Sequence, residues 1–139
     1  LAMVEAKIMR GVIFITHDLP VLSMVTDRLA IMYAGKVVET GRTEDLVNNA
    51  RHPYTAALLS SVLDPTEDTR TKHVLGIPGS PPNLGNPPSG CRFHPRCKFA
   101  MDVCSTTEPK MLSEGDHDFA CWWAKEHPRE TIPMEVTHA

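Results

Sequence analysis

The chain lacks several features that would place it directly in a class of proteins. Its 139 residues contain no apolar run of the length that spans a membrane. Its formal net charge of -3 provides none of the basic excess that binding to nucleic acid requires. It also contains no Gly-x-x-x-x-Gly-Lys-Ser/Thr stretch, the loop that cradles nucleotide phosphates. We therefore expect a soluble, cytosolic protein that binds no nucleic acid and has no phosphate loop of this kind.

The prolines divide the chain into two parts. Of the twelve prolines, nearly all lie after residue 52, whereas the first part carries short apolar runs with clear periodicity. Proline removes a backbone donor and interrupts regular structure. This shift in composition predicts a compact first part and an irregular second part.

The first part contains the signals of an α/β fold. Residues 12–16 form a β-branched, almost wholly apolar run, which predicts a strand buried on both faces as in a parallel sheet. Asp18 is placed to cap a helix over residues 19–25. Residues 28–34 and 36–40 flank Gly35, which predicts a hairpin with a tight glycine turn.

Two further helices are predicted after the hairpin. Thr43 is expected to cap the first of them, with acidic residues following in its opening turn. The second is expected from residue 53 to about residue 62, opened by the sequence His-Pro-Tyr-Thr. We assign His52 a capping or packing role and not a chemical one. His117 has no partner spacing that indicates a site.

Two segments of the first part closely resemble the end of an ABC ATPase nucleotide-binding domain. They are residues 12–19, Val-Ile-Phe-Ile-Thr-His-Asp-Leu, and residues 27–41, which include Met-Tyr-Ala-Gly-Lys. In that family the histidine after the strand is the switch residue, which contacts the γ-phosphate of ATP and helps to position the attacking water. The resemblance implies this catalytic and ATP-binding role for His17 in an intact ATPase.

The rest of the chain resembles the C-terminal extension of oligopeptide and dipeptide importers. Residues 52–55 match the signature that opens this extension, and the Pro, Gly and Cys pattern over residues 78–121 continues the match. The resemblance implies an α/β fragment of an ABC ATPase domain followed by a small irregular cysteine-rich extension. The implied divisions are residues 1–50 for the ATPase part, 51–77 for the His-Pro-Tyr helix and linker, 78–123 for the extension, and 124–139 for a flexible tail.

The resemblance also implies a function and a set of partners. The chain would be the C-terminal portion of the energy-coupling subunit of a peptide importer, bound to a second ATPase subunit and to membrane permease subunits. It would lie in the cytoplasm, peripherally on the inner face of the cell membrane. ATP and magnesium would bind only in the intact parent protein.

The other ATPase motifs of the family do not occur in this sequence. The phosphate loop, the ABC signature and the strand that bears the magnesium-binding aspartate and catalytic glutamate are all missing. The first residue therefore resembles a cut inside the ATPase domain, and we expect no ATPase activity from the chain alone. A lone strand at residues 12–16 would expose its edges, so we expect the chain to dimerise or exchange elements with another copy.

The four cysteines form the second candidate site. Cys91, Cys97, Cys104 and Cys121 are separated by five, six and sixteen residues. In a cytosolic chain such a set favours metal binding over disulfides. The absence of Cys-x-x-Cys pairs weakens the case for structural zinc, whereas a [4Fe-4S] cluster accepts four cysteines from irregular loops. From the residues alone, a cluster, zinc, disulfides and free thiols all stay open.

The resemblance favours one of these alternatives. Some ATPase subunits of peptide importers carry an iron-sulfur cluster on four cysteines in a closely similar pattern, which implies a [4Fe-4S] cluster here, with zinc as the alternative. Such a site would staple a segment that has too few apolar residues for its own core. The alternative function is a redox-responsive or iron-responsive regulatory module. His94, between the first two cysteines, is not expected to be a ligand.

Overall fold

The computed structural model describes residues 10–61, 77–128, 130 and 132. Within these residues, no helix is both long and apolar enough to cross a membrane. The fold is a small α/β structure built on a four-stranded antiparallel sheet with the strand order β1-β2-β4-β3. The strands are β1 Arg28–Tyr33, β2 Lys36–Arg42, β3 Leu112–Glu114 and β4 His117–Phe119.

The β1–β2 hairpin confirms the sequence prediction. Ala34 and Gly35 both have positive φ, 48° and 80°, which gives a two-residue turn whose twist matches that of the paired strands. One irregularity in the pairing shifts the register, because Ile31 lies opposite Glu39 whereas Met32 lies opposite Val37. β2 therefore has one residue more than β1 at this point, as in a β-bulge. As a result, the consecutive side chains of Val38 and Glu39 are both buried.

Three helices pack around the hairpin. Helix α1, Leu19–Val25, begins as predicted, because the carboxylate of Asp18 accepts a hydrogen bond from the Val21 N–H at 3.1 Å. Helix α2, Thr43–Asn48, corrects the prediction for its first residue. Thr43 does not cap this helix, because its hydroxyl donates to the carbonyl oxygen of Thr26 at 2.6 Å. Helix α3 is Pro53–Ser60.

The predicted buried strand at residues 12–16 is wrong for this structure. These residues belong to no strand, and the side chains of Ile13 and Ile15 are 90% and 96% exposed. A strand is stabilised by backbone hydrogen bonds to a neighbouring strand, and none of the described strands pairs with this segment. The sheet is also antiparallel, and not parallel as that prediction assumed.

The second part of the chain adds to the same core. Its elements are a 3-10 helix at His94–Arg96, helix α4 at Asp102–Thr106, strands β3 and β4, and helix α5 at Trp122–Glu126. Strand β4 pairs with β2, where Phe119 lies opposite Glu39. Phe93 is buried in one cluster with the apolar residues of the hairpin, and its ring contacts that of Tyr33 edge-on at 5.1 Å.

The domain boundaries of the sequence analysis stay predictions. The proposed tail at residues 124–139 begins inside α5, and most of its later residues lie outside the described part of the chain. The helix predicted to about residue 62 ends at Ser60. The α/β class is confirmed, whereas the second part is less irregular than its prolines suggested.

Candidate functional site

The four cysteines lie in the second part of the chain, on separate short elements. Cys91 and Cys97 flank the 3-10 helix, Cys104 lies in α4, and Cys121 directly precedes α5. Cys104 and Cys121 are buried, the other two are half-buried, and all four are free thiols. The Cys91 N–H donates to the Cys104 carbonyl oxygen at 2.8 Å, which holds two of these elements together.

Backbone N–H groups favour the thiolate form at the cysteines. The Met101 N–H lies 3.4 Å from the sulfur of Cys104. Backbone N–H groups also lower the pKa at the other three sulfurs: those of Phe93 and His94 at Cys91, of Phe99 at Cys97, and of Trp123 and Ala124 at Cys121. Hydrogen bonds of this kind stabilise a thiolate relative to a thiol, and they surround the sulfur ligands of many metal sites.

Burial opposes ionisation of three of the thiols, those of Cys91, Cys97 and Cys121. It raises the pKa of Cys97 to about 12 and that of Cys121 to about 11, and it also raises the pKa of Cys91. The cause is desolvation, which disfavours the charged thiolate. Without a bound cation these thiols therefore stay protonated at neutral pH, and metal binding would release their protons.

The cysteines also influence one another. Negative charge on Cys91, Cys104 and Cys121 raises the pKa of Cys97, and Cys91 and Cys104 act in the same way on Cys121. Charge on one cysteine of this set thus disfavours ionisation of Cys97 and Cys121. However, the described residues contain no group of three or more His, Cys, Asp or Glu side chains that could hold a metal ion.

The candidate His17 and the neighbouring histidine of the cysteine segment, His94, lie in different settings. His17 is exposed at a bend just before α1, and no hydrogen bond or ion pair with another described residue involves its side chain. Its role at an ATP phosphate stays a prediction. His94 uses Nδ1 to contact the carbonyl oxygen of Cys91 at 2.9 Å.

A buried polar network, which the sequence analysis missed, lies between the two parts of the chain. The carboxylate of Glu39 is 0% exposed and accepts three hydrogen bonds. Its Oε1 accepts from the Arg51 N–H and contacts His117 Nε2, both at 2.6 Å, and its Oε2 accepts from the His52 N–H at 3.0 Å. A glutamate in an otherwise strand-like run gives no local sign of burial, because the bulge in β2 turns it inward.

Arg51 extends this network into the second part. Its guanidinium donates to the carbonyl oxygens of Ala124 and Glu130 and to the Glu114 carboxylate. It also lies over the ring of Phe119, 4.9 Å from the centroid. Because Arg51 is only 2% exposed, these partners replace most of the water that the cation would otherwise require, and Nε is left without a hydrogen-bond partner among the described residues.

His52 caps helix α3, as predicted. Its Nδ1 accepts a hydrogen bond from the Tyr54 N–H at 3.0 Å. Burial lowers the pKa of His52 from 6.5 to about 4, and the negative charge of Glu39 offsets only part of this effect. The ring is therefore neutral at physiological pH, and its acceptor nitrogen stays available to the helix.

We expect acid to destabilise the protein through His52. Above pH 6.5 the ring is neutral in both the folded and the unfolded chain, so pH has no effect through this group. Between pH 6.5 and about 4 the unfolded chain binds the proton more strongly, so the free energy of unfolding falls as the pH falls. Urea unfolding at a series of pH values measures this slope.

The matched variant for this experiment is His52→Asn, since Asn also caps helices but does not titrate. In this variant the free energy of unfolding should change less with pH between pH 6.5 and about 4. An unchanged slope in the variant would assign the acid sensitivity to other groups.

Comparison with known proteins gives a consistent result. The family model described as "Oligopeptide/dipeptide transporter, C-terminal region" matches residues 38–104. The chain is 44% identical over 110 residues to the dipeptide transport ATP-binding protein DppD of Caldanaerobacter subterraneus subsp. tengcongensis, covering 78% of this chain and 33% of that protein. It is 43% identical over 120 residues to the oligopeptide transport ATP-binding protein OppD of Bacillus subtilis, covering 86% of this chain and 33% of that protein. The chain thus spans about a third of the length of these relatives.

Proposed function

Because this chain belongs to the oligopeptide/dipeptide transporter family, in which it corresponds to the C-terminal region of the ATP-binding subunits, we propose that it forms that region of a peptide importer's energy-coupling subunit. The observation that carries the proposal is the similarity to OppD and DppD proteins over more than three quarters of the chain. The peptide substrate, the second ATPase subunit, the permease subunits and a place on the inner face of the membrane follow as parts of the same proposal.

In this proposal His17 contacts the γ-phosphate of ATP in the whole protein. The support is its exposed position at the start of the capped helix α1, where its ring is free of hydrogen bonds to other described residues. The neighbouring apolar residues at positions 12–16 are also exposed, which suits a strand that completes its pairing with further segments of a longer protein. Magnesium and the phosphate loop would come from those segments.

For the cysteines we propose a [4Fe-4S] cluster held by Cys91, Cys97, Cys104 and Cys121. Two observations support the cluster. Backbone N–H groups favour the thiolate at the four sulfurs, and charge on neighbouring cysteines raises the pKa of Cys97 and Cys121. A cluster supplies its own iron and sulfide between the ligands, so its four cysteines need not come within reach of a single ion. This favours the cluster over zinc, which requires four ligands at one point.

We assign the cluster a structural role. Its ligands lie on separate short elements, so a shared centre would fix those elements relative to one another and to the core. The alternative, a redox or iron sensor, is less favoured because Cys104 and Cys121 are buried, whereas sensor cysteines are usually accessible to solvent.

The first experiment is to purify the chain without oxygen and to measure its iron, its acid-labile sulfide and its visible spectrum. We expect about four irons and four sulfides per chain, and their loss in each single Cys→Ser variant of the four positions. Thr106→Ser, an exposed position close to Cys104, serves as the matched control and should retain the iron. Stoichiometric zinc, or no metal with reducible disulfides, would disprove the cluster.

A further inference from the structure

A cavity of about 480 Å³ lies between the β1–β2 hairpin and the segments around Cys91 and Pro109. This volume falls within the range of roughly 300–1,000 Å³ that is usual for small-molecule sites. Aromatic and aliphatic side chains form most of its wall, among them those of Val38, Phe93 and Met111. The cavity is therefore suited to the apolar body of a small ligand.

His52 contributes a ring N–H donor to the wall of this cavity. Its Nδ1 accepts the Tyr54 N–H, so the neutral ring carries its hydrogen on Nε2. Among the described residues no group accepts a hydrogen bond from Nε2, although the side chain is only 1% exposed and lines the cavity. An oxygen atom of a ligand in the cavity would provide an acceptor for this N–H group.

The charges around the cavity favour a ligand with a negative end. Three cations, Lys36, Arg92 and Lys110, line it together with one carboxylate, Glu108. Lys36 pairs with Glu108 at 3.0 Å, and Arg92 donates to the Ala34 carbonyl oxygen. Lys110 forms no ion pair with any other described residue, and it lies next to Met111 in the same wall. Its ammonium group is therefore available for an anion.

We propose that this cavity binds a small molecule with an apolar body and a single carboxylate. The apolar body packs against Val38, Phe93 and Met111. The carboxylate accepts a hydrogen bond from His52 Nε2 and lies near the ammonium group of Lys110. This proposal does not depend on the role in peptide import, since it is carried by the cavity and its donors alone.

The test is a titration of the 139-residue chain with octanoate, followed by calorimetry and by NMR chemical shifts. We expect saturable binding that is at least about tenfold weaker in Met111→Trp, because the larger side chain fills the cavity. Met32→Trp is the matched control, since Met32 is exposed on β1 and does not line the cavity. It should bind octanoate as the unmodified chain does.

Two further variants test the polar contacts without filling the cavity. Lys110→Ala should weaken octanoate binding about fivefold, whereas Lys125→Ala, outside the cavity, should not change it. His52→Asn should also weaken binding while retaining the cap of α3, which circular dichroism can verify. Octan-1-ol, which has the same chain without the carboxylate, should bind more weakly than octanoate.

The source of the ligand is addressed by a parallel titration with the dipeptide Leu-Phe. Dipeptide binding that is lost in Met111→Trp would support the cavity and add small peptides to its ligands. Octanoate binding without dipeptide binding would support the same chemistry and assign the site to other carboxylates. No saturable octanoate binding, equal effects of Met111→Trp and Met32→Trp, or equally tight binding of octan-1-ol would overturn the proposal.

Discussion

Glu39→Gln is expected to lower the free energy of unfolding by about 3 kcal/mol, because it leaves buried groups unpaired. The carboxylate accepts hydrogen bonds from the N–H groups of Arg51 and His52 and contacts His117 Nε2. An amide has only one acceptor oxygen, so its NH₂ group must face at least one backbone donor.

Urea unfolding of both proteins at pH 7 measures this effect. Glu44→Gln is the matched control, since Glu44 is exposed in the first turn of α2 and should change stability by less than about 0.5 kcal/mol. The network joins β2 to β4 and α5, so we also expect the second part to lose protection from hydrogen exchange in Glu39→Gln. Equal stabilities of the two variants would show that the network contributes little.

Gly90→Ala is expected to destabilise the protein by about 3 kcal/mol through a direct backbone collision. Gly90 has a positive φ of 64°, and a Cβ atom there would lie 2.3 Å from the Cys104 carbonyl oxygen. That oxygen accepts the hydrogen bond from the Cys91 N–H, so the collision separates two of the proposed iron ligands. We therefore expect loss of iron together with loss of stability.

Gly115→Ala separates the collision from the cost of the backbone angle. Gly115 has the same φ of 64°, but a Cβ atom there meets nothing within 4 Å. This control should cost only about 1 kcal/mol, the penalty for placing alanine in the left-handed region. Thermal unfolding and iron content of both variants measure the difference, and similar losses in the two would contradict the role of the close contact at Gly90.

Several elements were predictable because their causes lie within a few residues. The turn at Ala34 and Gly35 requires two positive φ values. The Asp18 carboxylate caps α1 by accepting the N–H of Val21, only three residues further along the chain. The strand predicted at residues 12–16 failed for the opposite reason. A strand depends on a neighbour, and the described part of the chain contains no strand that pairs with it.

The candidate site was predictable only in part. The spacing of the cysteines and the pattern around His17 identified the candidate residues, and the comparisons support the family to which they pointed. The role of Glu39 could not be inferred, because its partner His117 is 78 residues away along the chain. His117 likewise had no local signal, since its function in the network depends on β4 pairing next to β2.

Local sequence was therefore sufficient to predict the hairpin, the caps at Asp18 and His52 and the family, and to single out the four cysteines as candidates. These features depend on backbone angles, hydrogen bonds and spacings within short segments, which the order of residues defines directly. Three further features could be read only from the folded chain: the second part completes the sheet, Glu39 turns inward at a bulge, and His52 lines a cavity. These depend on pairing between distant segments and on the removal of polar groups from water, and neither is set by local sequence.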